Sequence, residues 1–496
     1  MCGIIGVAKR NTPVFPDLYD GLLMLQHRGQ DSAGMVTCDG EFFHERKDNG
    51  LVKDVFLPRH TSLLKGSMGL GHVRYPTAGS LSVKEAQPFF VNAPLGIYLI
   101  HNGNLTNTEE LRERIQTGYR RHLRTTSDSE VLLNVFADKI YQAMKAHPDQ
   151  SDLESVFEGT AALMEKAKGS YSIISMIHGL GLYAFRDPHG IRPLSLGVRK
   201  TSRGDEWAFA SEDVAFATIG FEKVRDVLPG EAVLIDHEGN LHSHQCVPGT
   251  LNPCIFEYVY LARPDSMIDK ISVYKFQLRL GQALAKKIKA ANLDIDSVIP
   301  VPDSSRHAAL EMAKELGIKY REGLVKNRYV GRTFIMPGQA ERKKSVQRKL
   351  NAINLEFKNR NILLVDDSIV RGTTIKQIIA MCKKAGANKI YVASAAPPVQ
   401  HPNVYGIDMP TRNELIAHGL TTDEICKLIG ADALFYQDVE DMVWAAKEGN
   451  PAITEFDCSC FTGQYITGDI TEEYLKNLEN SSRVNKKAEE FSLINI

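Results

Sequence analysis

The chain has 496 residues, 43% of them hydrophobic and 24% charged, with a formal net charge of −1. That length exceeds what one core can serve, so two to four domains are expected. The balanced charge excludes an electrostatic case for nucleic acid or an anionic membrane as main partner. No apolar run approaches the ~18 residues of a membrane span. "GIIGVA" is too short for a secretory core and no basic stretch precedes it, so a cytoplasmic protein is expected. The eight cysteines are then expected to be reduced rather than a disulfide framework. Only Cys458 and Cys460 lie close together, and a lone C-x-C is read as structural.

The chain opens "MCGIIG". Cys2 is either a small hydrophobe at the start of a buried strand or, once Met1 is removed, a terminal residue carrying both a thiol and a free amine. From here to about residue 245, short strand-like runs are broken by glycine, among them "CGIIGVA", "MGLGHVRY", "IYLIHNGNL", "SYSIISMI" and "EAVLID". They predict antiparallel sheets. Helical stretches around 108–118 and 128–145 make this a layered α+β domain over 2–245. "CVPGTLNP", 246–253, holds two prolines and a glycine and marks the seam.

Beyond the seam, over 254–470, the rhythm changes. "SVIPVP" is a buried-strand run followed by "DSS" and a helix in which Ala309, Met312, Ala313 and Leu316 share a face, ending at Gly317. "NILLV" is a second such strand, followed by a helix with Ile375, Ile378, Ile379 and Cys382 on one side; "KIYVASAAP" supplies a third. Strands alternating with helices predict a parallel sheet with crossover connections, an α/β domain. Residues 471–496 are polar and read as a peripheral helix and tail.

"NILLVDDSIVRGTT", 361–374, carries the most chemistry. Asp366 and Asp367 fall at the carboxyl end of a buried strand, where open parallel sheets place their ligands. A loop with Ser368, Arg371 and Gly372 follows, then Thr373 and Thr374 at a helix start, where N–H groups and the helix dipole favour an anion. Carboxylates beside such a cradle suit ribose hydroxyls or a hydrated Mg²⁺. Neither a Walker loop nor G-x-G-x-x-G is present. The stretch closely resembles the phosphoribosylpyrophosphate (PRPP) motif of type I phosphoribosyltransferases. The resemblance implies that Asp366 and Asp367 hold ribose hydroxyls and metal and that Ser368, Arg371, Gly372, Thr373 and Thr374 cradle the 5′-phosphate. It further implies that "PDSS", 302–305, binds pyrophosphate with Ser304 near the Mg²⁺. The basic run 326–350 is read as a mobile lid over pyrophosphate, with Lys326, Tyr329 and Arg332 as PRPP contacts.

Five segments of the first half, "CGIIG", "LQHRGQDSAG", "GHVRYPTAG", "HNGNL" and "TTSDSE", together resemble the class II glutamine amidotransferases, whose fold is the αββα sandwich of N-terminal-nucleophile glutaminases. The resemblance makes Cys2 the nucleophile that attacks the glutamine side-chain amide, with its own α-amine, of ordinary pKa ~7.7–8.0, moving the proton. It assigns Asn102 and the Gly103 N–H to the oxyanion hole, Arg74 to the substrate's α-carboxylate and Asp128 to its α-ammonium. Arg28 is read as organising the site rather than performing chemistry.

The two halves in this order resemble the glutamine PRPP amidotransferases over nearly the whole chain. That implies synthesis of 5-phosphoribosylamine, glutamate and pyrophosphate, the first committed step of de novo purine synthesis. It also implies one Mg²⁺ per subunit, an internal ammonia channel, a homotetramer and feedback inhibition by purine nucleotides. Part of this family carries an iron–sulfur cluster and a cleaved propeptide. Here Cys2 follows Met1 directly, "HPN" at 401–403 lacks a cluster cysteine and "DCSC" replaces C-x-x-C, so neither is expected. A glucosamine-phosphate or asparagine synthetase would explain the first half without the PRPP motif. A non-catalytic PRPP sensor would explain the second without Cys2, Arg74, Asn102 and Asp128.

Overall fold

The computed structural model describes residues 2–75, 82–327, 350–409 and 411–480. Its first half is two antiparallel sheets packed face to face between helices. One sheet has seven strands, in the order Glu222–Asp226, Ser195–Thr201, Gly204–Ala210, Gly3–Ala8, Met68–Arg74, Ser32–Cys38 and Phe43–Asn49. The other has six, in the order Leu241–Gln245, Glu231–Asp236, Gly181–Arg186, Gly169–Ile177, Ile97–Leu105 and Phe89–Val91.

Side-chain alternation along these strands builds three apolar layers. Ile4, Leu70, Ile100, Ile174 and Val233 meet between the sheets. Ile5, Val7 and Val73 turn the other way, onto the helix Phe15–Met24. Leu99, Ile173 and Phe185 turn outward onto the helices Asp128–Ala146 and Asp152–Met164. At Gly6 a Cβ would lie 2.6 Å from Ile174 Cγ2 of the facing sheet, which explains the glycine inside an otherwise bulky strand.

The second half is built on a five-stranded parallel sheet in the order Lys319–Tyr320, Ser297–Pro300, Asn361–Asp366, Lys389–Ser394 and Ala433–Tyr436. Both faces are covered, so its strands are apolar throughout rather than alternating. Val298, Leu363, Val365 and Ala393 face the helices Val273–Ala290, Arg306–Leu316 and Val439–Lys447. Ile299, Ile362, Leu364 and Val392 face Thr373–Lys384 and Thr422–Ile429. Numbered along the chain the strand order is 2-1-3-4-5, whose topological switch point falls between the first and third strands. Those are Ser297–Pro300 and Asn361–Asp366. Their carboxyl ends carry "PDSS" and "DDS", so topology sets both expected ligand segments on one crevice.

Segment 246–253 has no regular structure. Around it the halves join through buried ion pairs. Arg186 donates both of its terminal nitrogens to Asp269, at 2.8 and 2.9 Å. The Glu257 carboxylate accepts from Arg28 at 3.0 Å and Arg192 at 3.1 Å. Among the described residues no helix is long and apolar enough to cross a membrane.

Candidate active sites

The first site is assembled at one end of the sandwich. Gly3 pairs with Val73 across the central ladder, which carries Cys2 to the level of Arg74 and Tyr75. The Cys2 backbone nitrogen donates to Asn102 Oδ1 at 3.1 Å, and its Sγ lies 3.9 Å from the Tyr75 carbonyl. Asn102 is wholly buried, and among the described residues its Nδ2 has no hydrogen-bond partner. A buried amide donor left unpaired costs about 1–3 kcal/mol, so this one invites an acceptor beside the thiol. Gly103 follows on the same strand; a Cβ there would overlap the Ser170 carbonyl at 2.1 Å, and only glycine fits.

Arg74 is buried at the end of its strand, opposite Ser32. Asp128 opens the helix Asp128–Ala146, whose cap is the Ser127 hydroxyl. Its carboxylate accepts the Leu105 N–H at 3.0 Å, which pins the helix start to the end of the Asn102 strand. The structure therefore gathers Cys2, Arg74, Asn102, Gly103 and Asp128 at one edge.

It also adds residues that the sequence reading did not single out. His101 is buried behind Asn102, with Nδ1 3.0 Å from the Ser129 hydroxyl and 3.8 Å from Asp128. Gln87 fixes the same unit, accepting the His101 N–H at 2.6 Å and donating to Ser129 at 3.0 Å. His72 lies wholly buried on the neighbouring strand, and burial together with Arg74 pushes its imidazole down to about 3, so it is neutral. The adjacent "HN" in "HNGNL" was the available signal for His101. Nothing in the sequence marks Gln87, whose role depends on tertiary pairing.

Arg28 is buried. Its guanidinium binds Glu212 and, across the seam, Glu257, so any organising influence is exerted at the junction of the halves. Burial works to raise the Glu212 carboxyl, but Arg28 and His27 outweigh it and hold that group well below the usual carboxylate range. Glu212 also accepts from the Arg263 N–H at 3.0 Å and from the Ser266 hydroxyl.

The second site lies at the switch point. Asp366 ends its strand, and its Oδ1 accepts the Asp367 N–H at 3.1 Å. Asp367 accepts from Ser368 at 2.8 Å and from Ser304 of the neighbouring strand's loop. Both carboxylates are buried, and burial pushes both up, with Asp367 adding repulsion to Asp366. Gly372 takes a φ of +72°, and a Cβ there would meet Ile416 Cδ1 at 2.2 Å. Thr373 and Thr374 open the following helix with exposed side chains, and its first turn has no acidic residue. Lys326 pairs with Asp303 at 3.2 Å and Arg371 approaches Glu414 at 3.7 Å. Tyr329 and Arg332, with the lid centre, lie outside the described residues.

Two buried carboxylates joined by serine hydroxyls suit a hard cation that takes few protein ligands and completes its shell with water and phosphate, which is how Mg²⁺ binds. Among the described residues no group of three or more His, Cys, Asp or Glu is placed to hold a metal. Cys458 and Cys460 have their thiols pushed up by burial, that of Cys458 to about 12.

Residues 72–218 match the glutamine amidotransferase domain family. The chain is 55% identical to the amidophosphoribosyltransferase of Pseudomonas aeruginosa over 98% of its own length and 97% of that protein's. It is 54% identical to that of Escherichia coli, with 98% and 97% covered, and 48% identical to that of Saccharomyces cerevisiae, with 97% and 95% covered. Its fold is similar to the B. subtilis glutamine PRPP amidotransferase solved in complex with ADP and GMP. That match has a TM-score of 0.83 and 36% identity, and covers 95% of this chain and 98% of that one. At such identity over full length, the chain belongs to the amidophosphoribosyltransferase family.

Proposed function

We infer that this chain takes ammonia from glutamine and places it on PRPP, giving 5-phosphoribosylamine, glutamate and pyrophosphate, the first committed step of de novo purine synthesis. Asn102 carries the reading. Its Oδ1 is occupied by the Cys2 nitrogen while its buried Nδ2 is left without a partner among the described residues, as a preorganised donor for a developing oxyanion requires.

In this reading Arg74 grips the substrate's α-carboxylate with a planar fork, and Asp128 holds its α-ammonium. The Cys2 amine, freed by loss of Met1, takes the thiol proton as sulfur attacks the side-chain carbonyl. The carbonyl oxygen becomes an anion facing Asn102 Nδ2 and the Gly103 N–H. Collapse expels ammonia, with the proton returned by the amine, and water then releases glutamate from the thioester. Ammonia passes within the protein, along a channel, to the ribose of PRPP and displaces pyrophosphate.

Asp366 and Asp367 hold the ribose hydroxyls, Ser368, Arg371, Gly372, Thr373 and Thr374 the 5′-phosphate, and Lys326, Tyr329 and Arg332 the pyrophosphate side. Ser304, Asp366 and Asp367 would hold one Mg²⁺ per subunit, which supplies neutralisation of the leaving pyrophosphate. Residues 2–245 make up the glutaminase and 254–470 the phosphoribosyltransferase, and of the terminal segment 471–496 the part beyond residue 480, expected as a tail, lies outside the described residues. We place the protein among the members without iron–sulfur cluster, as a cytoplasmic homotetramer inhibited by purine nucleotides; the nucleotide complex of the B. subtilis relative supports the last.

The test is PRPP-dependent release of glutamate from glutamine, with intact mass measured on the same sample. Activity tied to PRPP in protein that begins at Cys2 is the expected result. Full activity in protein that retains Met1 would sink the proton-transfer role of the amine.

A further inference from the structure

The loop after the Lys389–Ser394 strand leaves the phosphoribosyl half and lies along the glutaminase strand Ile97–Leu105. Asn104 Nδ2 donates to the Val404 carbonyl at 3.0 Å, and the Ser170 hydroxyl donates to the Tyr405 carbonyl at 2.8 Å. Arg192 Nε donates to that same carbonyl at 2.7 Å. Asn403 Oδ1 closes the loop on itself, accepting the N–H groups of Tyr405 and Ile407 at 2.9 and 3.1 Å. At the crest is Gly406, with φ +98°. A Cβ built there would lie 2.9 Å from both the carbonyl carbon and the oxygen of Gly103. On its other side Gly103 has the Ser170 carbonyl, at 2.1 Å from its own ideal Cβ position. The Gly103 backbone is thus packed between two backbones, one from each half of the chain.

We propose that Gly406 is a positioning residue for the oxyanion hole: a backbone contact from the phosphoribosyl half, clamped by Arg192 and Ser170, that packs on the Cα and carbonyl of Gly103 and so sets the backbone conformation that aims the Gly103 N–H. The proposal rests on the reading of Asn102 and Gly103 given above. Hydrogen bonds to a developing oxyanion need donors within about 0.5 Å of their productive place. Here the neighbour that fixes one donor belongs to the other domain.

The test uses full-length Gly406→Ala, with Ser170→Ala as a milder variant that removes one clamp without adding atoms. Glutamine hydrolysis by Gly406→Ala should lose about 100-fold in kcat, with KM for glutamine unchanged. Synthesis from ammonium salt should be retained, and iodoacetamide should alkylate Cys2 at the parent rate, since alkylation uses the thiol but not the hole. Glutamate γ-semialdehyde gives the decisive readout. The Cys2 sulfur adds to its aldehyde carbon, the thiol proton passes to the carbonyl oxygen, and that oxygen sits in the hole with no redox change. Its binding should weaken by the same factor as kcat, while binding of glutamate is unaltered. Ser170→Ala should move the same quantities in the same direction by less. Unchanged kcat in both variants overturns the proposal, as does a parallel loss of alkylation, glutamate binding and ammonia-dependent synthesis. Glutamine hydrolysis that survives Cys2→Ala would overturn the underlying reading itself, and the proposal with it.

Discussion

The two sites of this chain are incomplete in opposite senses. Beside Cys2 the buried group left without a partner among the described residues is a donor, the Nδ2 of Asn102. At the switch point the surplus is acceptor: Asp366 and Asp367 are buried together, and burial pushes both carboxyls up. On the proposed reading, the surplus donor awaits negative charge that exists only while an amide is being cleaved, and the surplus carboxylates await hydroxyls and a cation that arrive with the substrate. The first site is therefore rigid, laid on strands of a sandwich. The second is made of loops at the carboxyl ends of two interior strands, where ligands can enter and bring their own counter-charges.

This contrast can be broken in four ways. The largest effect belongs to Cys2→Ala, which should abolish glutamine-dependent synthesis by roughly 10⁴-fold or more while synthesis from ammonium salt at raised pH survives. Loss of the ammonia reaction too, in protein that still binds PRPP, would show the sites are not separable. Next comes the pair Asp366→Asn with Asp367→Asn. It removes several kcal/mol of charge-based binding and should stop synthesis from either nitrogen source, leaving a basal glutaminase detectable as glutamate release. Synthesis that persists would move the ribose contact elsewhere.

Asn102→Ala sharpens the donor side. It should cost roughly 10²–10³ in glutaminase kcat, with KM nearly constant and the ammonia reaction intact; a rise in KM alone would make Asn102 a ground-state contact. The smallest effect is on stability. Glu212→Gln should cost about 2 kcal/mol at neutral pH, as one charge-assisted contact set is weakened. Because its folded pKa is depressed, the carboxylate's contribution is present above the unfolded value of about 4.3 and is lost as pH falls through the folded one. The gap in denaturation midpoint between parent and variant should therefore be full at neutral pH and close on acidification. A gap that widens in acid would contradict the ion-pair assignment.

Much of both sites was legible before any coordinates. The phosphoribosyl strands are buried on both faces and so read as continuous apolar runs, and the face of Ile375, Ile378, Ile379 and Cys382 that the helical spacing picks out is the buried face of Thr373–Lys384.

 The helix Asp152–Met164 was missed, although Ser151 and Glu154 form the reciprocal capping box that announces a helix start. What no single-sequence pattern carries is pairing across distance. Arg28 reads as a site residue because it sits in "QHRGQD", yet its partners Glu212 and Glu257 lie 184 and 229 residues away. Gly406 gives no sign of its contact with Gly103, because the meaning of a glycine depends on what approaches it. The loop through Gly406 links the two candidate sites physically, since the Ile416 N–H beyond it donates to the Val370 carbonyl, next to Arg371 and Gly372, at 2.9 Å.

The buried ion pairs at the seam bear on how such a chain can be cut and recombined. Residues 2–245 and 254–470 look like exchangeable parts, each with its own sheet and core. Severed at 246–253, the first would keep Arg186 and Arg192 and lose the Asp269 and Glu257 carboxylates that neutralise them. The second would keep those carboxylates without their guanidinium partners. Burying an uncompensated charge is among the costliest defects a fold can carry. Grafting either half onto a foreign partner therefore means transplanting both ends of each pair, so the unit of inheritance here is the junction as much as the domain.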